Sequence, residues 1–321
     1  MQTVVVTRTG GPEVLEVRDE PAAEADAGQL LVDVEAAGVN YRDIYEREGG
    51  YGGTPPFVAG VEGAGTVAAV GEGVTEFAVT DRVAWSAGPG SYAEQVAVEA
   101  ARAVPVPDGI SSELAAAALL QGMTAQYLAT SAYPVQPNDE VLVHAAAGGV
   151  GLLLTQIVKL RGGHVIGTTS TTDKAQLARG AGADEVIDYE GFAERVRELT
   201  GGEGAAVVYD GVGKATFDES LASLRPRGYM ILFGAASGAV PPVEPMRLEG
   251  GGSLFLSRPS LRHYTARREE LLERAAEVFG WIADGKLDVR IGGRYPLDQA
   301  RRAHEDLAGR KTTGKLLLLP G

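Results

Sequence analysis

Apolar and polar positions alternate with two different rhythms along this chain. Through the first roughly 120 residues, short β-like runs at Thr3–Thr7, Leu30–Ala36, Gly65–Val70, Arg82–Trp85 and Ala93–Val98 are separated by Gly, Pro and acidic clusters. No strong helical period is visible before the Ala-rich stretch Ser112–Leu120. This texture predicts a twisted or barrel-like β unit. From Glu140 the pattern changes to strand-like runs alternating with helical ones. Strands are expected at Val141–Ala145, Val165–Thr169, Glu185–Tyr189, Val207–Gly211, Tyr229–Gly234 and Ser253–Arg258. Helices are expected between them at Gly149–Leu160, Asp173–Gly180, Phe192–Leu199 and Ala215–Leu224. Such alternation implies a parallel sheet covered by helices on both faces, and six strands suit a dinucleotide-binding domain. A long amphipathic helix, Arg267–Ile282, follows, with Leu271, Leu272, Ala275, Val278 and Phe279 at helical spacing. The tail, with Leu316–Leu319 as a buried-strand candidate, returns to the texture of the first domain. The nucleotide-type domain therefore reads as an insertion, with residues 1–122 and 263–321 forming one domain and 123–262 the other.

One turn sharpens this picture. His144-Ala145-Ala146-Ala147-Gly148-Gly149-Val150-Gly151 follows an apolar strand and opens a helix. Matched to G-x-G-x-x-G it reads Ala146-x-Gly148-x-x-Gly151, with Ala in the first glycine position. Gly148 lets backbone approach a pyrophosphate, and Gly151 lets the helix pack tightly on the strand. The helix N-terminus then offers unpaired N–H groups and partial positive charge. A site that prefers NAD carries Asp or Glu at the end of the second strand, for the ribose hydroxyls. Here that stretch is Thr168-Thr169-Ser170-Thr171-Thr172-Asp173-Lys174. A Lys ~4 Å from a 2′-phosphate attracts it by up to ~4 kcal/mol at an effective dielectric of ~20, and a carboxylate repels it comparably. NADPH is therefore the expected cofactor, with Asp173 the one neighbour that would weaken the preference by turning inward.

Composition narrows the remaining classes. The 321 residues are 45% apolar, enough for one large core or two ordinary ones. A formal net charge of -14 disfavours nucleic acid and anionic membrane surfaces as partners. The absence of Cys excludes disulfides, thiolate metal sites, iron–sulfur clusters and Cys nucleophiles. The segment Met1–Arg8 reads as a strand and not as a leader. The longest apolar runs, Leu114–Leu120 and Val150–Leu154, are far shorter than the ~20 residues that span a bilayer. A cytoplasmic location is expected. None of the four His has metal-ligand spacing, no Ser-His-Asp arrangement is legible, and no Gly-Lys pair is followed by the Ser or Thr of a P-loop.

Several stretches together resemble the medium-chain dehydrogenase/reductase superfamily, and within it the zinc-free quinone oxidoreductase (zeta-crystallin-like) branch. They are Ala37-Gly38-Val39-Asn40-Tyr41-Arg42-Asp43, Gly60-Val61-Glu62-Gly63-Ala64-Gly65, the His144–Gly151 turn, Phe233-Gly234 and Ser257-Arg258-Pro259-Ser260. The resemblance implies a GroES-like twisted β-barrel catalytic domain with an inserted Rossmann domain, a doubly wound six-stranded parallel sheet, and an active site in the cleft between them. Its departures from zinc alcohol dehydrogenases are informative. Asn40 stands where those enzymes have a ligand Cys, Gly60-Val61-Glu62 stands for Gly-His-Glu, and the third-ligand region reads Leu119-Leu120-Gln121-Gly122. Val61 cannot bind a metal, so no metal site is expected.

Without a Lewis acid, and with no Tyr followed by Lys four residues later, alkoxide stabilisation is not provided. Acceptors that carry their own electron sink remain: quinones, which become aromatic hydroquinones, and enones, which become enolates. The expected function is NADPH:quinone reduction. The alternatives are C=C reduction of 2-alkenals or enones, and non-enzymatic, crystallin-like NADPH binding. Catalytic candidates are Asn40, Tyr45 and Tyr51, on the segment that the resemblance places beside the nicotinamide, the tyrosines to donate to the acceptor oxygen and Asn40 to hold the carboxamide or the substrate. For Asp43 a structural hydrogen bond is preferred. The cofactor-binding candidates are Ala147, Gly148, Gly149, Val150 and Gly151 in the turn. By resemblance they also include Thr124 near the nicotinamide, Tyr189 near the adenosine, Phe233, Gly234 and Ser257 along the cofactor, and Ser170 and Lys174 at the 2′-phosphate. The apolar strand Ser253–Ser257 is expected at a sheet edge, where pairing with its twin would make a homodimer.

Overall fold

The computed structural model describes Met1–Gly321. The chain divides into two compact units. One comprises Met1–Leu120, Thr265–Ala283 and Val289–Gly321, and the other Gln121–Tyr264 with Asp284–Asp288. Residues 284–288 group with the second unit. The reason is a reciprocal pair of hydrogen bonds: Gln156 Nε2 donates to the Asp288 carbonyl (3.0 Å) and the Asp288 N–H donates to Gln156 Oε1 (2.7 Å).

In the first unit the organising element is the eleven-residue strand Gln29–Val39. It pairs antiparallel with Glu62–Val70 along its length, with Gln95–Glu99 over residues 29–33, and with Lys315–Leu319 over residues 37–39. Register shifts at Leu31/Val32 and Val34/Ala36 bend the strand so that it serves these partners in turn. Its exposure alternates at first and then vanishes over Ala36–Val39, where both faces are covered. The sheet runs Ile291–Pro296, Lys315–Leu319, Gln29–Val39, Glu62–Val70, Arg82–Trp85, Val104–Pro105. A three-stranded sheet, with Gln2–Val6 between Leu15–Asp19 and Phe57–Val58, completes the unit. Trp85, Tyr92, Leu30, Val32 and Leu318 lie in one core. This is the expected twisted β architecture.

The second unit holds six parallel strands in the order Glu185–Ile187, His164–Thr168, Glu140–Val143, Ala205–Asp210, Leu224–Leu232, Phe255–Ser257. The chain starts in the middle, winds outward one way and then the other, which is the doubly wound arrangement. Helices Gly149–Leu160 and Phe192–Leu199 have the predicted bounds.

Three elements differ from expectation. The helix from Ser112 continues to Tyr127, because Ala115–Leu119, Met123 and Ala125 are all buried and a buried helix needs no amphipathic stripe. The fifth strand starts at Leu224, where Arg225-Pro226-Arg227-Gly228 reads as a turn; Arg227 takes φ +61° and the register shifts between Ala205 and Val207 instead of breaking. Residues Tyr41–Arg47, for which no element is predicted, form a helix. No helix is long and apolar enough to cross a membrane.

Candidate functional site

Because the six strands are parallel and adjacent, everything just past their carboxyl ends gathers on one edge of the sheet. On that edge stand the turn after Glu140–Val143, the hydroxyl run after His164–Thr168, Tyr189, the Gly211 turn, Phe233-Gly234 and Ser257. This edge is the ligand side of an open α/β sheet.

The turn is built by backbone. Ala145 adopts φ +51°, Ala146 N–H donates to the Thr168 carbonyl (3.1 Å), and Gly148 is the N-cap of helix Gly149–Leu160. A Cβ on Gly151 would lie 2.3 Å from the Ala145 carbonyl oxygen, so this position admits only glycine. A Cβ on Gly149 would lie 2.0 Å from Gln121 Oε1, a side chain that the motif reading missed beside the turn. The N–H groups of Gly149, Val150 and Gly151 precede any intrahelical acceptor, and the first two residues are half-buried. A pyrophosphate fits this set of open donors at a positive helix end. Ala147 is buried in the turn and Thr124 is half-buried on helix Ser112–Tyr127, three residues past Gln121.

At the second strand end Thr168 and Thr169 are buried, Ser170 is exposed, and Thr171 caps the next helix by accepting from the Lys174 N–H (3.3 Å). Lys174 is half-buried in the first turn of that helix, with Asp173 exposed next to it. Tyr189 does more than line the edge: its hydroxyl accepts from the Ala145 N–H (3.0 Å) and its ring stacks on His144 at 6.0 Å. Phe233 and Gly234 N–H both donate to the Asp210 carbonyl, and a Cβ on Gly234 would lie 2.5 Å from the Gly211 carbonyl oxygen.

Beneath the turn lies a buried polar chain that the sequence did not disclose. His144 Nδ1 meets Thr168 Oγ1 and its Nε2 meets Ser220 Oγ, each at 2.9 Å. Ser220 Oγ donates to Asp210 Oδ2 (3.1 Å), which also accepts from Thr216 Oγ1 (2.7 Å). Ser, His and Asp are therefore adjacent, but Ser stands in the middle, so no base is oriented to activate a nucleophile. Burial pushes the His144 imidazole down to about 4, keeping it neutral.

In the first unit, helix Tyr41–Arg47 carries Tyr45, with Asn40 at its N-cap and Tyr51 in the segment that follows. Asp43 Oδ2 accepts from the Asn40 N–H (2.8 Å) and from the Tyr92 hydroxyl (3.0 Å), a capping role. Burial raises the Asp43 carboxyl to about 7, and its other oxygen, Oδ1, has no partner, as suits a largely neutral acid. The chain continues from Tyr92 to His304 Nε2 (3.1 Å) and from His304 Nδ1 to Arg47 (3.2 Å). An Arg can only donate, so His304 accepts at Nδ1 and donates at Nε2. Burial holds that imidazole at about 3.

Asn40 does not sit free for a ligand. Its Nδ2 donates to the Gly38 carbonyl (3.2 Å) and Glu62 Oε2 (3.0 Å), and its Oδ1 accepts from Lys315 Nζ (2.8 Å). Both amide protons are engaged within the protein. Lys315 also bonds Glu62, both side chains being essentially sealed at 1% and 0% exposure. Glu62 Oε1 takes the Leu120 N–H (2.7 Å). Glu62, in the motif that reads Gly-His-Glu in zinc enzymes, is thus neutralised by an internal ammonium. Tyr45 and Tyr51 do come together, with near-parallel rings 6.1 Å apart.

Two family models match this chain: the alcohol dehydrogenase GroES-like domain over residues 26–108 and the zinc-binding dehydrogenase over residues 149–279. A quinone oxidoreductase of Pseudomonas aeruginosa is 47% identical, with 97% of each protein covered. A mycobacterial protein solved in complex with NADPH is 53% identical over the whole of both chains, with a TM-score of 0.98. Escherichia coli quinone oxidoreductase complexed with NADPH is 42% identical over the same extent and superposes equally well, at 0.98. The chain belongs to the zinc-free quinone oxidoreductase branch of the medium-chain dehydrogenase/reductase superfamily. A 2-haloacrylate reductase of Burkholderia sp., 39% identical over 100% of this chain, shares the scaffold. In this quinone oxidoreductase family member the metal-ligand positions are filled by Asn40 and Val61, and the polar groups around them are paired with each other.

Proposed function

We infer that this protein is an NADPH-dependent quinone oxidoreductase that works without a metal. The observation that carries the reading is the open N–H set of Gly149–Gly151 beside a second strand ending in hydroxyls and Lys174 instead of a carboxylate. When bound, NADPH supplies a hydride, two electrons that convert a quinone to its hydroquinone with one further proton from solvent. The turn binds the pyrophosphate, and Ser170 and Lys174 bind the 2′-phosphate. Phe233, Gly234, Ser257 and Thr124 line the path of the cofactor, and Tyr189 fixes the turn that holds it. Tyr45 and Tyr51 align the acceptor ring and donate to its developing oxyanion. Asn40 positions the helix that carries Tyr45 instead of touching substrate, because its amide is spent on Glu62, Gly38 and Lys315.

The acceptor class is tested by NADPH oxidation with 1,4-benzoquinone, 9,10-phenanthrenequinone and a 2-alkenal side by side. Quinone turnover well above alkenal turnover is expected. Dominant alkenal turnover would move the protein to C=C reduction, and tight NADPH binding with no turnover of any acceptor would revive a purely binding role. The protein acts in the cytoplasm and as a homodimer. Phe255–Ser257 is the edge strand of the six-stranded sheet and Phe255 is 50% exposed, an arrangement that favours pairing with a twin. Light scattering at micromolar concentration is expected to give twice the chain mass; a monomer would refute the pairing.

A further inference from the structure

We propose that Arg42 is a specificity residue that favours acceptors carrying an anionic group beside the reducible ring. The proposal rests on the reading that the acceptor lies against Tyr45 and Tyr51. Helix Tyr41–Arg47 has two unlike faces. Asp43, Ile44 and Arg47 are buried, whereas Tyr41, Arg42 and Tyr45 are half-buried on the outer side. Past the helix the chain doubles back: Gly49 takes φ +87°, Gly50 N–H donates to the Tyr45 carbonyl (2.7 Å), and Gly52 takes φ +80°. This fold-back sets Tyr51 next to Tyr45, with rings only 13° from parallel, and leaves Tyr51 50% exposed.

The Arg42 guanidinium lies over the Tyr51 ring, 5.3 Å from its centroid. Other arginines of this chain are taken up by carboxylates: Arg18 by Glu16, Arg195 by Glu198 and Arg294 by Glu113. Arg42 is held by a π face instead. No carboxylate lies within ion-pair distance of Arg42, and its N–H fork matches a carboxylate or sulfonate. An acceptor ring placed on the tyrosines would present its substituents to this cation. The setting makes the effect selective, since a chain of net charge -14 otherwise repels anions. A single cation a few ångströms from a bound anion, partly solvated, is expected to give roughly a tenfold preference.

The test compares kcat/KM for 1,2-naphthoquinone and 1,2-naphthoquinone-4-sulfonate, with NADPH, in wild type, Arg42→Gln, Arg42→Lys and Tyr51→Ala. Arg42→Gln is expected to lower the sulfonate-to-neutral ratio roughly tenfold, through KM, while the neutral quinone is little affected. Arg42→Lys should restore part of the ratio, and added salt should lower it in wild type but not in Arg42→Gln. An unchanged ratio in Arg42→Gln, with Tyr51→Ala impaired on both quinones, overturns the role of Arg42 and leaves the acceptor site standing. No effect of Tyr51→Ala on either quinone overturns both.

Discussion

The glycine turn of the second unit and the polar core under helix Tyr41–Arg47 of the first are built from different materials. The turn is backbone: Ala145 in a left-handed conformation, Gly151 pressed on a carbonyl, and three N–H groups with no acceptor in their own helix. The polar core is side chains brought from far apart. Asn40 meets Glu62 across 22 residues and Lys315 across 275, and Tyr92 meets His304 across 212. The backbone device tolerates no Cβ at Gly151 but is indifferent to most side chains elsewhere. A side-chain network fails when any one member is lost.

The largest effect should come from breaking the network. Lys315→Met leaves Glu62 buried without its cation, and a loss of about 3–5 kcal/mol is expected in denaturant unfolding. Glu62→Gln combined with Lys315→Met should recover much of it, because no charge then remains buried unpaired.

Breaking the backbone device should cost function instead. Gly151→Ala is expected to raise the NADPH dissociation constant roughly a hundredfold, the scale of a ~3 kcal/mol overpacking penalty. Gly149→Ala collides only with the end of Gln121, so Gln121→Ala should rescue that variant. No second substitution can rescue Gly151→Ala, whose clash is with backbone.

The Asp43–Tyr92–His304 chain makes a pH prediction in which two terms oppose. His304 is held neutral well below its usual range, so its contribution is full above about pH 6.5 and is lost as pH falls toward 3. Asp43 is held protonated up to about 7, so its contribution is full below the ordinary carboxylate range and is lost as pH rises toward 7. Between about pH 4 and 6.5 Asp43 offsets one buried imidazole, and His144, held at about 4, leaves a net rise of stability with pH. His304→Gln should therefore flatten the pH dependence in that window, and Asp43→Asn should steepen its rise, each changing the slope by up to about 1.4 kcal/mol per unit. Equal slopes in both variants would show that the two groups do not titrate as placed.

The smallest effect isolates the nucleotide choice. Lys174→Ala should weaken NADPH by roughly tenfold and leave NADH nearly unchanged, read as paired dissociation constants.

The same contrast explains what could be read from residues alone. The six-strand alternation and the Ala146–Gly151 turn are local patterns, and helix Gly149–Leu160 starts and stops where its glycine and apolar period say. Helix Tyr41–Arg47 escaped because its cap is unusual. Asp43 returns to the Asn40 N–H as a capping box requires, yet the Asn40 amide turns away to Glu62. That spacing of Asn and Asp was the available signal. The partnership of Glu62 with Lys315 had none, since both residue types are ordinarily exposed and 253 residues separate them. The bonds of Asn40 to Gly38, Glu62 and Lys315 were illegible for the same reason, its partners being visible only in the folded chain.

The central claim is hydride delivery from NADPH to a quinone by a site without a metal. It is tested most directly by following loss of the reduced nicotinamide absorbance with 1,4-benzoquinone, after exhaustive dialysis against a chelator, with NADPH and NADH in parallel. The account predicts undiminished turnover and at least a roughly tenfold higher kcat/KM for NADPH. Activity that vanishes on chelation and returns with zinc, or equal use of NADH, would contradict it.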